Sequence, residues 1–267
     1  MKNLDKAWER ILEISDELDK HFNININYSF RTFRNDETED LNSNLAFFSR
    51  SKKKSLAIHP YLLEMIEEGK EREVESILYH EYLHFYHFIN INKLNINKDF
   101  LFKRKRMSAY NFVINIGYQF WTEFEAFYMT KEKYKDIYID SFNTQDMIRN
   151  FKEFNENFYK KHSDEEISNI LFVCDQFIYS LGRYLGENYS KEIEKQNEND
   201  KEIKQFYKIK EDLTKLCVKM NKKRFSKYLP RRLYNIGRYL MKYVYIPCHV
   251  YICRYDKYWG FGYVKEG

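Results

Sequence analysis

The chain has 267 residues, with 45 Lys+Arg against 40 Asp+Glu, 43% hydrophobic residues, 8 Gly and 3 Pro. That length suits one large domain or two small ones with a buried core, and 24 Tyr with 22 Phe exclude a disordered chain. So few Gly and Pro argue against a turn-dense all-β fold, while a mean hydropathy of -0.73 argues against a membrane-spanning protein.

Residues 1–6 lead into an acidic amphipathic segment rather than a signal-peptide core, so a soluble, cytoplasmic protein is expected. Four scattered cysteines, Cys174, Cys217, Cys248 and Cys253, read as reduced thiols and not as a disulfide framework. Cys248, His249 and Cys253 have the chemistry of metal ligands, but no second pair completes four. The net charge of +5 is modest. The basic clusters Lys52–Lys54, Lys103–Arg106 and Arg231–Arg232 permit a nucleic-acid partner, yet read first as solvated faces.

Trp8, Ile11, Leu12, Ile14 and Leu18 recur at helical spacing and predict an amphipathic helix over residues 3–21. The polar–apolar alternation of residues 23–28 predicts a strand continuing towards Phe33. Two short strands follow at 45–48 and 55–58, with residues 49–54 as a polar hairpin tip. Pro60 opens a short helix over 61–68 that Gly69 stops, and a longer helix runs over 71–89. Ser108 is placed to cap a helix over 110–131. Everything after Asp140 reads as helix, near 144–160, 164–187, 199–222 and 231–254. The fold class is therefore α+β and helix-rich, with a small sheet and an active-site helix ahead of a helical C-terminal half. The division expected is a first domain over residues 1–135 and a helical region over 136–267 packed on it.

The sharp signal is His80-Glu81-Tyr82-Leu83-His84. Two histidines four residues apart on a helix share one face, one turn apart, so both imidazoles can bind one metal. Glu81 sits about 100° around the helix from His80. From there a carboxylate can take a proton from water that zinc has brought to a pKa of about 7, and pass it to a leaving amine. The motif lies in a largely buried stretch with Val74, Ile77, Leu78, Leu83, Phe85 and Ile89, where polar groups are costly unless something satisfies them. His87 lies one turn beyond the pair and is expected to pack or support rather than ligate. A metzincin third histidine is absent. The next helix offers Glu123, in an apolar stripe with Phe112, Ile116, Phe120 and Phe127. Glu125 lies about 200° around that helix, so the two cannot face one metal. The small Ala126 shares Glu123's face and would allow close helix approach.

HEYLH followed at a distance by Glu123-Phe124-Glu125-Ala126 resembles the gluzincin group of zinc metallopeptidases. The second segment is similar to the third-ligand segment of the CAAX prenyl protease and heat-shock membrane protease families, and to that of the soluble ImmA/IrrE-type peptidases. The likeness covers about residues 20–130 loosely and the two motifs specifically. It implies a zincin-like domain with one zinc per chain held by His80, His84 and Glu123, with Glu123 chosen over Glu125, and Glu81 as general base and acid. No further cofactor is implied. The Asp that often follows the segment in those families is Phe127 here. Zincins commonly add an extended peptide to a sheet edge, and residues 45–48 or 55–58 could supply it. His249 is the most visible downstream histidine for carbonyl polarisation. The expected function is hydrolysis of peptide bonds in a peptide or protein substrate. The alternative is a non-catalytic metal-binding regulatory or nucleic-acid-associated module on the same fold. Oligomeric state is not legible.

Overall fold

The structure, a computed structural model, describes residues 4–24, 29–32, 46–49, 55–93, 108–137, 144–158, 167–189, 200–221, 224–248, 250–255 and 258–263. The chain forms two compact units, Met1–Ile89 with Met129–Ile139, and Asn90–Tyr128 with Asp140–Gly267.

In the first unit, helix α1 (Leu4–Phe22) buries Ala7, Ile11, Ile14 and Leu18 along one side; of the predicted stripe Trp8 is only half-buried and Leu12 is exposed. It ends where Asn23 takes φ 51°. Ile24 N–H then donates to Asp19 O at 2.9 Å and Asn23 N–H to Lys20 O at 3.3 Å, closing the last carbonyls. Asn23 is thus a helix cap and not the first residue of a strand; most of the predicted 23–28 strand lies outside the described residues. Strand β1 (Ser29–Thr32) follows, then β2 (Ala46–Ser49) and β3 (Ser55–Ile58). The sheet order is β1-β3-β2, with β1 parallel and β2 antiparallel to β3. Pairing of Ser49 with Ser55 agrees with a hairpin, though residues 50–54 of its tip lie outside the described residues. Strand β3 is central and Leu56, Ala57 and Ile58 are all fully buried. The predicted strand 55–58 is therefore no edge, because both its hydrogen-bonding sides are taken; β2 keeps that possibility.

Helix α2 (Tyr61–Glu67) ends at Gly69, whose φ of 78° allows Lys70 N–H to reach Met65 O at 2.9 Å. Helix α3 (Glu71–Lys93) follows directly. Its Tyr82 hydroxyl donates to Ser15 O at 3.2 Å, and Phe22 of α1 packs on the rings of Tyr79, Tyr82 and Tyr86. Arg10 of α1 binds Glu71 at the start of α3. The C-terminal end of helix α4 (Ala109–Lys133) and the turn after it join this unit. Tyr134 donates its hydroxyl to Glu75 at 2.6 Å, and Lys133 lies over the Tyr79 ring.

The second unit holds most of α4 with α5 (Thr144–Phe158), α6 (Ile167–Glu187), α7 (Lys201–Asn221) and α8 (Leu229–Leu240). Ser108 caps α4 as expected, its Oγ accepting from Asn111 N–H at 3.2 Å. Phe120, Trp121, Phe124, Phe151, Tyr184, Phe206, Leu213 and Leu233 form the centre of one aromatic-rich core. The predicted helix over 231–254 breaks early. After Leu240 come a π turn (Met241–Tyr245) and a 3-10 turn (Ile246–Cys248). Strands β4 (Val250–Tyr255) and β5 (Tyr258–Tyr263) then pair antiparallel. Pro247 explains the break, since it lacks an N–H and its ring clashes with the preceding turn. No helix among the described residues is long and apolar enough to cross a membrane. The architecture is α+β and helix-rich.

Candidate metal centre

Helix α3 buries Val74, Leu78, Tyr82, Leu83 and Phe85, and this fixes its rotation. His80 and His84 then fall on an adjoining strip where both are half-buried. Their Nε2 atoms face one another at 3.0 Å, with ring centroids 4.7 Å apart and planes at 78°. Two zinc–nitrogen bonds of about 2.0–2.1 Å at a tetrahedral angle hold their nitrogens about 3.4 Å apart. The pair would need to open by only a few tenths of an ångström to clasp one ion. The same spacing suits a hydrogen bond between two neutral rings, one Nε2–H donating to the other's lone pair.

A third donor separates a metal site from a simple ring pair. His80, His84 and Glu123 each offer one ligand atom, and the three atoms lie within 4.8 Å of one another. All three residues are half-buried. No other group of three His, Cys, Asp or Glu side chains converges in this way among the described residues. Two imidazole nitrogens and one carboxylate oxygen form the donor set of catalytic zinc sites that keep a fourth position open. The residues fit the ion. Glu81 is half-buried beside the pair and is not part of the three. His87 is fully buried, with its ring 6.2 Å from that of Tyr86, and does not join the group either. His249 lies outside the described residues.

Helix α4 is held by backbone contact on two sides. A Cβ on Gly117 would sit 2.0 Å from Leu233 O, and one on Gly237 would sit 1.9 Å from Val113 O, so α4 and α8 cross with only hydrogens between them. On α6, a Cβ on Gly186 would meet Phe124 O at 2.5 Å, and one on Gly182 would meet Glu123 Cβ at 3.1 Å. The backbone that carries Glu123 therefore has little freedom to move. Ala126, expected on the Glu123 face, is fully buried. Phe127, where an Asp is common in the similar families, lies under the Arg183 guanidinium at 5.1 Å.

Glu125 has a different task. Its side chain is fully buried and ion-paired with Arg224. Its negative charge, after burial itself, helps push the nearby Cys217 thiol well above its ordinary pKa. Arg224 was not legible as a partner, since it closes a basic run, Lys222-Lys223-Arg224, that reads as surface. The only signal was Glu125 itself, a carboxylate beside Trp121 and Phe124 that burial obliges to find a cation.

Cys248 donates its thiol to Val244 O at 3.1 Å. Cys174 is pushed up strongly by its hydrogen bond with Cys248 and by burial, so its thiol stays protonated and suits packing better than metal binding. No protein-family model matches the chain, and neither does any curated protein or solved structure.

Proposed function

We propose that the protein is a zinc-dependent peptidase of the HExxH type, built like the gluzincins and working in the cytoplasm on peptide or protein substrates. The observation that carries the reading is the convergence of one ligand atom each from His80, His84 and Glu123 within 4.8 Å. Zinc held there supplies a Lewis acid that makes water nucleophilic near neutral pH. His80 and His84 would hold the ion through neutral imidazole nitrogens, and Glu123 would bring one negative charge that offsets half of the ion's. Glu81, one residue from His80 and outside the ligand set, takes the proton from water and returns it to the departing amine. Strand β2 is the edge on which an extended substrate segment would add.

The test is Glu81→Gln, which keeps size and hydrogen-bonding reach and removes the proton acceptor. Zinc content and melting temperature should match wild type, while hydrolysis of a mixture of unfolded proteins should fall by about 10²–10⁴-fold. Equal cleavage by both proteins would overturn the role of Glu81. A wild-type chain that holds zinc and cleaves nothing would instead support a metal-binding module without turnover.

A further inference from the structure

The charge of this chain is segregated. Residues 213–255 carry eleven Lys and Arg and no Asp or Glu, which leaves 34 cations against 40 acids in the rest. A net charge of +5 hides this, and a 43-residue window without one acid is not the mixed surface of an ordinary soluble protein.

The fold decides where these charges point. Helix α8 turns Leu229, Leu233, Ile236 and Leu240 into the core, each at most 1% exposed. Arg231, Tyr234, Arg238 and Lys242, spaced by three, four and four residues, therefore form one outward strip. Among the described residues, no carboxylate is ion-paired with Arg231, Arg238, Lys242 or Lys227. Three of the four lie over rings instead. The Arg238 guanidinium lies 5.9 Å from the Tyr234 centroid, Lys242 Nζ 4.9 Å from that of Tyr243, and Lys227 Nζ 5.2 Å from that of Tyr228. Tyr110, from the start of α4, stacks on Tyr234 at 4.6 Å and 30°, extending the strip sideways. Tyr110 and Tyr228 are 46% and 53% exposed. Asp212, the acid at the border, is occupied by the Tyr239 hydroxyl at 2.8 Å.

We propose that the outward face of α8, with Tyr110 and the turn that follows α8, is a binding surface for single-stranded nucleic acid. Cations without carboxylate partners replace the counterions of a phosphate chain. Exposed rings between them offer stacking platforms to unpaired bases, each worth about 1–3 kcal/mol and indifferent to base identity. Arg231 to Lys242 spans about 16 Å of helix, enough for a few nucleotides. A duplex covers its base faces and cannot use the rings. A lipid surface is disfavoured because a helix lying on a membrane must turn its apolar side outward, and here that side is in the core.

The experiment uses the full chain and a fluorescent oligothymidylate of about 20 nucleotides, read by anisotropy between about 50 and 200 mM salt. Wild type should bind, with log affinity falling linearly against log salt. Combined Arg231→Gln, Arg238→Gln and Lys242→Gln should weaken binding about tenfold or more and flatten the slope by about two. Lys6→Gln, Lys20→Gln and Lys201→Gln together remove the same charge from elsewhere and should leave affinity within about twofold. Tyr110→Ala should weaken binding several-fold with the slope unchanged, because stacking releases no counterions. Should the triple variant not fold, Arg238→Gln alone, at an exposed head, repeats the comparison. Absence of binding at low salt would overturn the proposal, as would equal losses in the two triple variants. Duplex DNA, polyglutamate or phosphatidylglycerol vesicles competing as well as the oligothymidylate, with Tyr110→Ala silent, would also overturn it.

Discussion

Glu125 is ion-paired with Arg224 while Glu123, two residues away on the same helix, belongs to the candidate ligand group with His80 and His84. One tripeptide thus carries a structural acid and a candidate ligand acid, kept apart by the 200° that two residues turn on a helix. The two should fail differently. Glu125→Ala removes the fully buried carboxylate that pairs with the half-buried Arg224 and should cost about 3 kcal/mol of stability, with zinc per folded chain unchanged. Glu123→Ala should leave the metal-free melting temperature nearly unchanged, and its zinc affinity should fall by more than the roughly 10–100-fold that outer support is worth. Calorimetry and zinc titration on both variants separate the roles. The opposite ranking would show that Glu125 is the ligand.

The histidine pair makes a second prediction. Wild type purified without chelator and reloaded should hold about one zinc per chain, and His80→Ala or His84→Ala should hold none in stoichiometric amount. An ion that binds only the folded chain stabilises it by about 2.7 kcal/mol at a free concentration 100 times its Kd. Adding zinc should then raise the wild-type melting temperature by several degrees and leave both variants where they were. If the 3.0 Å contact is only a hydrogen bond between two rings, zinc will move none of the three.

Much of this was legible because local chemistry agreed with tertiary demand. Ser108 caps α4, Gly69 ends α2, and Ile11, Ile14 and Leu18 of α1 are buried, each for the reason visible in the residues themselves. The motif placed His80 and His84 on one face because helical geometry permits nothing else. Other features depend on partners far along the chain. Asn23 alternates with Ile24 as in a strand, yet its tolerance of positive φ made it a cap. The run from Tyr243 to Cys253 is apolar enough for a buried helix or a strand, and periodicity alone cannot separate them. Pro247 and the β-branched and aromatic residues after it decide for the hairpin. The half-buried Arg224 and the buried Lys210 could not be found at all, since nothing nearby marks a Lys or Arg as one that the fold will draw inward.

The crossing of α4 and α8 gives a third prediction, about rigidity. Gly237→Ala would place a methyl 1.9 Å from Val113 O, a backbone atom that cannot swing aside. The helices must separate, and a loss of about 3 kcal/mol or more is expected from such overpacking. Gly182→Ala meets Glu123 Cβ at 3.1 Å, where a shift of a few tenths of an ångström suffices. Its stability cost should be much smaller. Chemical denaturation of the two variants should rank them in that order. Equal costs would mean that α4 and α8 cross less closely than 1.9 Å implies.

Lys210 makes the last prediction. It is 6% exposed on α7, and its ammonium donates to the Tyr184 hydroxyl at 3.2 Å, 5.2 Å from the centroid of the same ring. Tyr184 also pairs with Thr144 Oγ1 at 2.9 Å, so the group has neutral oxygen for company. Among the described residues no carboxylate is ion-paired with Lys210. Burial lowers its pKa below the ordinary lysine value. The sign follows: near neutral pH the unfolded chain holds this proton more tightly than the folded one, so Lys210 lowers stability there. The penalty shrinks as pH rises from the lowered folded value towards about 10.4, the unfolded value. Lys210→Met keeps the aliphatic stem and leaves Thr144 to satisfy Tyr184. It should stabilise the protein by roughly 1 kcal/mol at pH 7, or about 2–4 °C in melting temperature for a chain of this size. Melting curves of both proteins across pH 7 to about 10 should converge as the pH rises. A variant less stable than wild type at pH 7 would show that the ammonium, with its tyrosine ring and hydroxyl, contributes more than its burial costs.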